Sequence, residues 1–179
     1  MAANDKFELR GINHLALVCR DMKKTVDFYS GVLGMPLTKT IELPNDMGQH
    51  FFFDIGKGDQ LAFFWFPNAG DSQPGVTHAP DLVGRGDITS AHASMNHVAF
   101  DVPADKIEEY QQKLEAAGID VTGVVNHDDS ESGASPEINE TTFVRSIYFK
   151  DPDGILLEFA AWTRELDERD VNIAPVSVD

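Results

Sequence analysis

The chain has 179 residues with 14 basic and 30 acidic side chains, which gives a formal net charge of −16. This length suits one domain or two small fused modules, and a surface this acidic repels nucleic acid. The longest apolar run, residues 61–66, is too short to span a membrane, and since residues 1–5 lack a basic start before an apolar stretch, we expect no secretory signal. Because Cys19 is the single cysteine, no internal disulfide can form, and we expect a cytoplasmic protein.

A faint internal repeat organises the chain. An apolar pattern typical of a strand covers residues 12–18 and returns at residues 95–100. Each is followed by a helical pattern, over 21–34 and 105–118, with an Asp near its start and a Gly at its end. Three further strand patterns follow each helix. They cover residues 38–43, 50–55 and 60–66 in the first copy, and 121–125, 143–149 and 155–162 in the second.

Each copy therefore predicts a βαβββ module. Because one face of such a half sheet is covered by its helix and the other is bare, we expect the two halves to combine around the bare face. The predicted fold is α+β, with a cupped mixed sheet and the helices on the outside. It forms one domain, whose parts are module 8–67, connector 68–91, module 92–162 and tail 163–179.

Two histidines hold equivalent places in the repeat. His14 and His97 both follow Asn in the first strand of their module, and strand alternation places both on the concave side if Leu15 and Leu17 pack beneath the helix. Glu158 is a carboxylate within an apolar strand, where it needs a cation or a hydrogen-bonding network. A lone strand His or Glu is usually structural, but this repeated placement favours a facial triad for a divalent metal ion with open positions for substrate.

Aromatic runs at residues 51–53 and 63–66 supply a candidate wall for this site. Alternate members of each run share a face of the predicted sheet. We predict Phe53, Phe63 and Trp65 as substrate-binding residues, and core packing is the alternative interpretation for the runs.

The sequence resembles the vicinal oxygen chelate superfamily, which includes glyoxalases, fosfomycin-modifying enzymes, bleomycin-binding proteins and type I extradiol dioxygenases. The resemblance extends over residues 10–162, and its motifs are 13–18, 28–34, 96–100 and 147–158. It implies paired βαβββ modules around a metal ion held by His14, His97 and Glu158. A fourth ligand position falls near Ala62 or Phe63, which supply no donor.

A His, His, Glu set resembles the small one-domain extradiol dioxygenases most. This likeness implies Fe(II), or alternatively Mn(II) or another divalent ion, with a catechol-like aromatic substrate and dioxygen. It also implies that Tyr148, ten residues before Glu158, donates a hydrogen bond to a substrate oxygen, although an ordinary strand aromatic explains that position equally well.

Two positions depart from the dioxygenase pattern. Asp59 and Asn139 stand where those enzymes carry acid–base histidines. Asp59 is then a candidate base and Asn139 a candidate substrate-binding residue. His78 or His92 of the connector is another source of an imidazole, whereas His50 and His127 lack the repeat symmetry and are assigned to the surface or a loop.

Three functions remain open at this point. The first is an Fe(II) extradiol dioxygenase, and the second is a glyoxalase-like isomerase, epimerase or thiol transferase that uses the metal as a Lewis acid. The third is a non-catalytic drug-binding protein, which the complete ligand set disfavours. One chain contains both modules and can build the site alone, but a homodimer is the default expectation.

Overall fold

The computed structural model describes residues 12–92, 94–167 and 170–171. In the first module the Asp21 carboxylate caps the helix by accepting the Lys24 amide hydrogen at 3.1 Å. Gly34 follows the helix with a φ of +72°, the left-handed conformation that a terminal glycine supplies. Both caps agree with the sequence prediction. The elements are β1 (His14–Cys19), α1 (Met22–Val26) with a π-helical continuation (Asp27–Val32), β2 (Leu37–Glu42), β3 (Gln49–Gly56) and β4 (Asp59–Trp65).

The second module repeats this order with an additional short strand. Of the strand predicted over 121–125, the structure has a single bridge between Val121 and Phe149, and Val125 begins the next strand. The Thr122 hydroxyl accepts the Tyr148 amide hydrogen at 3.0 Å, so a side chain replaces a backbone partner in this part of the sheet. The elements are β5 (Val98–Asp101), α2 (Ile107–Ala116), β6 (Val125–His127), β7 (Ala134–Ser135), β8 (Val144–Lys150) and β9 (Leu156–Trp162).

The strands form two separate sheets, with the orders β1-β4-β3-β2 and β5-β9-β8-β6-β7. In each sheet the first strand of the module runs parallel to its last strand, and the other pairs are antiparallel. The predicted α+β class with two βαβββ modules is therefore confirmed. The single cupped sheet expected within one chain is instead two sheets.

One apolar core joins the two modules. In the first module the ring of Tyr29 lies 4.8 Å from that of Phe63, and the Tyr29 hydroxyl donates to Asp151 of the second module at 3.1 Å. Both helices pack into this core, through residues such as Tyr29 and Ile107, so they are not confined to the outside as predicted. The helix-bearing faces of the two sheets therefore pack toward each other, and their opposite faces point away from the shared core.

The connector crosses the second sheet. Ala79 and Leu82 pack with Tyr148 and Leu156 in a small apolar cluster, and the Lys150 ammonium donates to the Pro80 carbonyl. Of the predicted tail, residues 168–169 and 172–179 lie outside the described part of the chain, as do residues 8–11 of the first module. Among the described residues, no helix has the length and apolar character that crossing a membrane requires.

Candidate metal centre

The first histidine lies on the open side of the first sheet. His14 pairs with Gln60 and Ala16 pairs with Ala62 across β1 and β4. Both His14 and Ala16 are exposed, whereas Leu15 and Leu17 pack into the core, as the alternation predicts. We call this surface the His14 face. It consists of His14, Ala16, Val18, His50, Phe52, Gln60, Ala62 and Phe64.

The second histidine lies on the equivalent surface of the second sheet. Ala99 pairs with Glu158, and Glu158 pairs with Tyr148, so these side chains stand side by side on one surface with His97. His97 retains 39% of its side-chain exposure, whereas Glu158 retains only 7%. We call this surface the His97 face. It consists of His97, Ala99, Ser146, Tyr148, Glu158 and Ala160.

Hydrogen bonds hold the Glu158 carboxylate in place. Its Oε1 accepts the hydroxyl hydrogens of Ser146 at 2.5 Å and Tyr148 at 3.1 Å, and its Oε2 lies 3.1 Å from Nε2 of His97. Burial acts to raise the pKa of Glu158, but His97 and the two hydroxyl groups outweigh it, so the pKa is lowered. Glu158 is therefore ionised at neutral pH, as a metal ligand must be.

Each histidine is oriented by the asparagine before it. Nδ1 of His14 lies 2.8 Å from Oδ1 of Asn13, and Nδ1 of His97 lies 2.9 Å from Oδ1 of Asn96. An amide oxygen only accepts hydrogen bonds, so each Nδ1 carries a hydrogen, and in the neutral ring each Nε2 presents a lone pair. This is the tautomer in which Nε2 can bind a metal ion.

Nε2 of a neutral His97 ring and the ionised Oε2 of Glu158 are both acceptors, and they lie 3.1 Å apart. Two acceptors at this distance need a positive centre between them, either a proton or a metal ion. A separation near 3 Å also suits two ligands of one ion, because metal–nitrogen and metal–oxygen bonds are about 2.0 to 2.2 Å long. His97 and Glu158 therefore fit a divalent ion.

The structure does not bring His14 to this pair. Among the described residues, no three His, Cys, Asp or Glu side chains come together as a metal site. The side chain of His14 contacts Asn13, lies 5.7 Å from the ring of Phe52 on the same face, and is close enough to His50 to act on its charge. The physical reason is the shared core, because both histidine-bearing faces point away from it.

Tyr148 is positioned to support Glu158. Its hydroxyl donates to Oε1 of Glu158, and only 4% of the residue is exposed. Burial, together with the nearby Glu158 charge, raises the pKa of Tyr148 well above its usual value, so the phenol stays protonated. The role expected from the sequence, a hydrogen bond to a substrate oxygen, is not the one that this geometry favours.

The aromatic residues predicted to bind substrate lie on the other side of the first sheet. Phe53 and Phe63 are fully buried in the core, and the Trp65 indole donates to the Arg20 carbonyl at 3.1 Å. The register pairs Phe52 with Ala62, so Phe52 and Phe64 are the strand aromatics that share the surface of His14. The prediction chose the alternate set, and a shift of one residue exchanges the two faces of a strand.

Neither of the two departures from the dioxygenase pattern hydrogen-bonds Glu158, whose side-chain partners within the described part of the chain are Ser146, Tyr148 and His97. Asp59 lies two residues before the core residue Leu61 in β4, so both side chains point to the side of the sheet opposite the His14 face. The Asn139 amide nitrogen donates to Asp128 at 2.8 Å, and its oxygen accepts two hydrogen bonds from Thr141. Asn139 is therefore engaged within its own loop.

Of the two connector histidines, His78 is buried and His92 is exposed. Nδ1 of His78 donates to the Ala79 carbonyl at 2.8 Å. His78 also lines a cavity of about 500 Å³ at the junction of the modules, together with Arg20, Trp65 and Asp153. The predicted metal ligands do not line this cavity.

Comparison with known proteins agrees with this architecture. A family model described as the Glyoxalase/Bleomycin resistance protein/Dioxygenase superfamily matches residues 11–159, which include every strand of both sheets except the last three residues of β9. The chain belongs to this superfamily. The resemblance carried by the repeated Asn-His motifs is thereby confirmed.

Three members of the glyoxalase superfamily illustrate the range of its relatives. Metallothiol transferase FosB of Shouchella clausii is 28% identical over 84% of this chain and 79% of FosB. The "Putative ring-cleaving dioxygenase MhqE" of Bacillus subtilis is 27% identical over 61% of this chain, but over only 32% of MhqE. A variant of FosX from Listeria monocytogenes, solved with Mn(II) and a dihydroxypropylphosphonic acid, has a TM-score of 0.56 and 22% identity over 87% of this chain and 94% of FosX. This structural likeness shows the fold alone.

Sequence reasoning missed two residues of this superfamily domain. His127 lies in β6, and its Nε2 is 2.9 Å from the Tyr148 hydroxyl. His50 lies in β3, where its ring stacks on Phe64 at a centroid distance of 3.6 Å. Neither residue has an equivalent histidine in the other module. The repeat symmetry that identified His14 and His97 therefore could not identify them. For His50, its position directly before the aromatic run 51–53 was the available signal.

Proposed function

We propose that this protein is a divalent-metal enzyme whose ion is held by His97 and Glu158 of one chain and completed by His14. The observation that carries the proposal is the approach of His97 Nε2 to the ionised Glu158 carboxylate at 3.1 Å. Asn96 and Tyr148 fix the orientation of this pair, as partners of metal ligands commonly do.

We propose further that His14 comes from a second copy of the chain. The His14 face and the His97 face both point away from the shared core, so one chain cannot close them on each other without dismantling that core. In a symmetric dimer each His14 face can lie over the partner's His97 face, which builds two equivalent sites. Val18 and Phe64, which lie on the His14 face, provide apolar surface for such a contact.

The chemistry that we favour is Lewis-acid activation of a small oxygen-bearing substrate. When bound, a divalent ion supplies positive charge to a substrate oxygen and leaves positions open beside its protein ligands. In this arrangement the chain's own residues keep Glu158 ionised and exclude water beneath it, since Ser146 and Tyr148 are both buried. Transfer of a thiol or addition of water to the activated substrate is the reaction class that the likeness to FosB and FosX supports, and the Mn(II) in FosX makes Mn(II) the first ion to test.

Elemental analysis of protein purified without chelators tests the metal, and a mixing experiment tests its ligands. Chains with His14→Ala and chains with Glu158→Ala are each expected to lose tight Mn(II) binding. After the two variants are unfolded and refolded together, about a quarter of the wild-type sites should return, because half of the dimers are mixed and each mixed dimer has one intact site. Each variant refolded alone is the control. Failure to recover any site in the mixture would contradict the shared site.

A ring-cleaving dioxygenase is the second candidate. It is favoured by the aromatic surface around His14, where Phe52, Phe64 and His50 offer stacking partners for a planar substrate. It requires Fe(II) and dioxygen, and it gains no support from Asp59, which has the strand parity of Leu61, or from Asn139, whose amide hydrogen-bonds to Asp128. Oxygen uptake by the Fe(II)-loaded protein with catechol, dihydroxybiphenyl and hydroquinone separates the candidates, since Lewis-acid chemistry consumes none.

A further inference from the structure

The hydrogen bonds of Tyr148 identify a residue that acts on the metal centre from outside it. The Tyr148 oxygen contacts Oε1 of Glu158 at 3.1 Å and Nε2 of His127 at 2.9 Å. The Ser146 hydroxyl also interacts with the phenol, but its own hydrogen goes to Oε1 of Glu158. A phenol has one hydrogen, and an ionised carboxylate can only accept, so that hydrogen lies on the Glu158 side. His127 must therefore donate its Nε2 hydrogen to the phenol oxygen.

The placement of His127 makes this contact well defined. His127 pairs with Val144 of β8 and with Ala134 of β7, so its backbone is held between two strands. Its ring meets the ring of Tyr148 edge to face, with centroids 6.1 Å apart and an interplanar angle of 89°. His97 meets Tyr148 in a similar way, at 6.3 Å and 81°. The phenol is thus held between two imidazoles and has little freedom to turn.

We propose that His127 is a positioning residue of the metal centre. By donating to Tyr148, it keeps the Tyr148 hydrogen directed at Oε1 of Glu158, and this leaves Oε2 facing His97. His127 itself does not touch the ion or the substrate. The inference rests on the proposed function, because it assigns His127 a role in the affinity of that site for its ion.

Mn(II) affinity of the metal-free protein, measured by electron paramagnetic resonance of the unbound ion, tests this role. His127→Leu should weaken binding about tenfold, the usual effect of losing a partner of a metal ligand. His127→Gln keeps an N–H donor at a similar reach and should bind within about twofold of the wild type. Thermal unfolding of each variant by circular dichroism confirms that the sheet is intact.

A double-mutant cycle with Tyr148→Phe separates positioning from general support of the fold. If His127 acts through the phenol, His127→Leu should cause no further loss of Mn(II) affinity in the Tyr148→Phe protein. An equal loss in both backgrounds, or no loss in either, would overturn the proposal. So would a His127→Gln protein that binds as weakly as His127→Leu.

An independent measurement keeps the proposal testable if the wild-type protein binds no Mn(II). Long-range proton–nitrogen correlation spectra of the metal-free protein should show His127 with its hydrogen on Nε2, and Tyr148→Phe should abolish that preference. A hydrogen on Nδ1 overturns the contact itself. Absence of Mn(II) binding with the expected His127 tautomer would instead reject the proposed metal function and, with it, the role of His127 in metal affinity, leaving only the contact.

Discussion

Asn13 controls which nitrogen His14 can offer to an ion. Its amide oxygen lies 2.8 Å from Nδ1 of His14 and holds the hydrogen there. The same pairing recurs at Asn96 and His97, so the repeated Asn-His dipeptide encodes both the proposed ligand and the orientation of its ring. Asn13 is the cleaner position to test, because Asn96 also donates to Ile88 and Ser90 of the connector.

Asn13→Ala is expected to weaken Mn(II) binding about tenfold, because the His14 ring is then free to rotate and to exchange tautomers. Asn13→Asp keeps an acceptor for Nδ1 and should bind at least as well as the wild type. Isothermal titration with Mn(II) measures both. Equal affinity of the alanine variant and the wild type would show that the pairing does not orient His14.

His50 contains a buried nitrogen whose hydrogen bonding is unsatisfied. Among the described residues, its Nε2 has no hydrogen-bond partner, although the ring stacks on Phe64. Burial, followed by the charge of nearby His14, lowers the pKa of His50, so the neutral ring is favoured.

His50→Phe keeps the stacked ring and removes the unsatisfied nitrogen, so the free energy of unfolding should rise by about 1 kcal/mol. This gain in unfolding free energy should increase as the pH falls below 6.5, the ordinary histidine pKa. At such pH values His50 is protonated more readily in the unfolded wild-type chain than in the folded one. Urea unfolding at matched protein concentration measures both effects, with His50→Ala as the control that loses the stacking. A less stable phenylalanine variant would refute this account.

At the scale of an element, the loop after β6 is built around one carboxylate. Asp128 accepts hydrogen bonds from Ser130, Ser135 and Asn139, and these contacts strongly lower the pKa of Asp128. The sequence leaves this segment open between a lid and an insertion, because its polar composition fits either. The hydrogen bond from the Asn139 amide to Asp128, 11 residues earlier, shows that Asn139 stabilises the loop.

Asp128→Asn is expected to loosen the loop, because an amide nitrogen then faces donors that need an acceptor. Hydrogen exchange of peptides within residues 129–142 should become about tenfold faster, while β8 and β9 stay protected. Asp129→Asn is the matched control, since Asp129 is exposed and contacts only Arg164 at 3.5 Å among its recorded partners. Unchanged exchange in the Asp128 variant would mean that the loop is held by other contacts.

At the scale of the whole molecule, a buried acid joins the two modules. Asp151 accepts the Tyr29 hydroxyl hydrogen and two backbone hydrogens, from Asp153 and Ile155. Burial raises the pKa of Asp151 from 3.8 to about 6 in spite of these donors. Between pH 3.8 and about 6, Asp151 keeps its proton in the folded chain but has lost it in the unfolded chain. The free energy of unfolding therefore falls as the pH rises through this range and is constant above it.

Asp151→Asn should remove this dependence, which amounts to about 3 kcal/mol of unfolding free energy across the window in the wild type. Tyr29→Phe should move the fall to higher pH, because the carboxylate loses a donor that favours its charge. Urea unfolding over about pH 4 to 7 compares the three proteins. If the unfolding free energies of the wild type and Asp151→Asn change with pH in parallel, Asp151 does not titrate in this range.

The strand patterns of the sequence predicted most of the fold, because helix caps and apolar periods are local properties. They failed at residues 121–124, where the Thr122 hydroxyl replaces a backbone acceptor for the Tyr148 amide hydrogen. No periodicity can reveal such a replacement. The faces of β3 and β4 were also chosen wrongly, since an unbroken run such as Phe51 to Phe53 contains no polar residue to mark the outer side.

The sequence by itself determined the duplicated modules and the three candidate ligands, since symmetry between His14 and His97 and a carboxylate in an apolar strand are visible in one dimension. Only the tertiary structure decided how those ligands are distributed. The modules bury their helix-bearing faces against each other, and this packing separates His14 from Glu158. Which apolar faces meet depends on the summed burial of many residues far apart in the chain, and a sequence pattern records only that those faces are apolar.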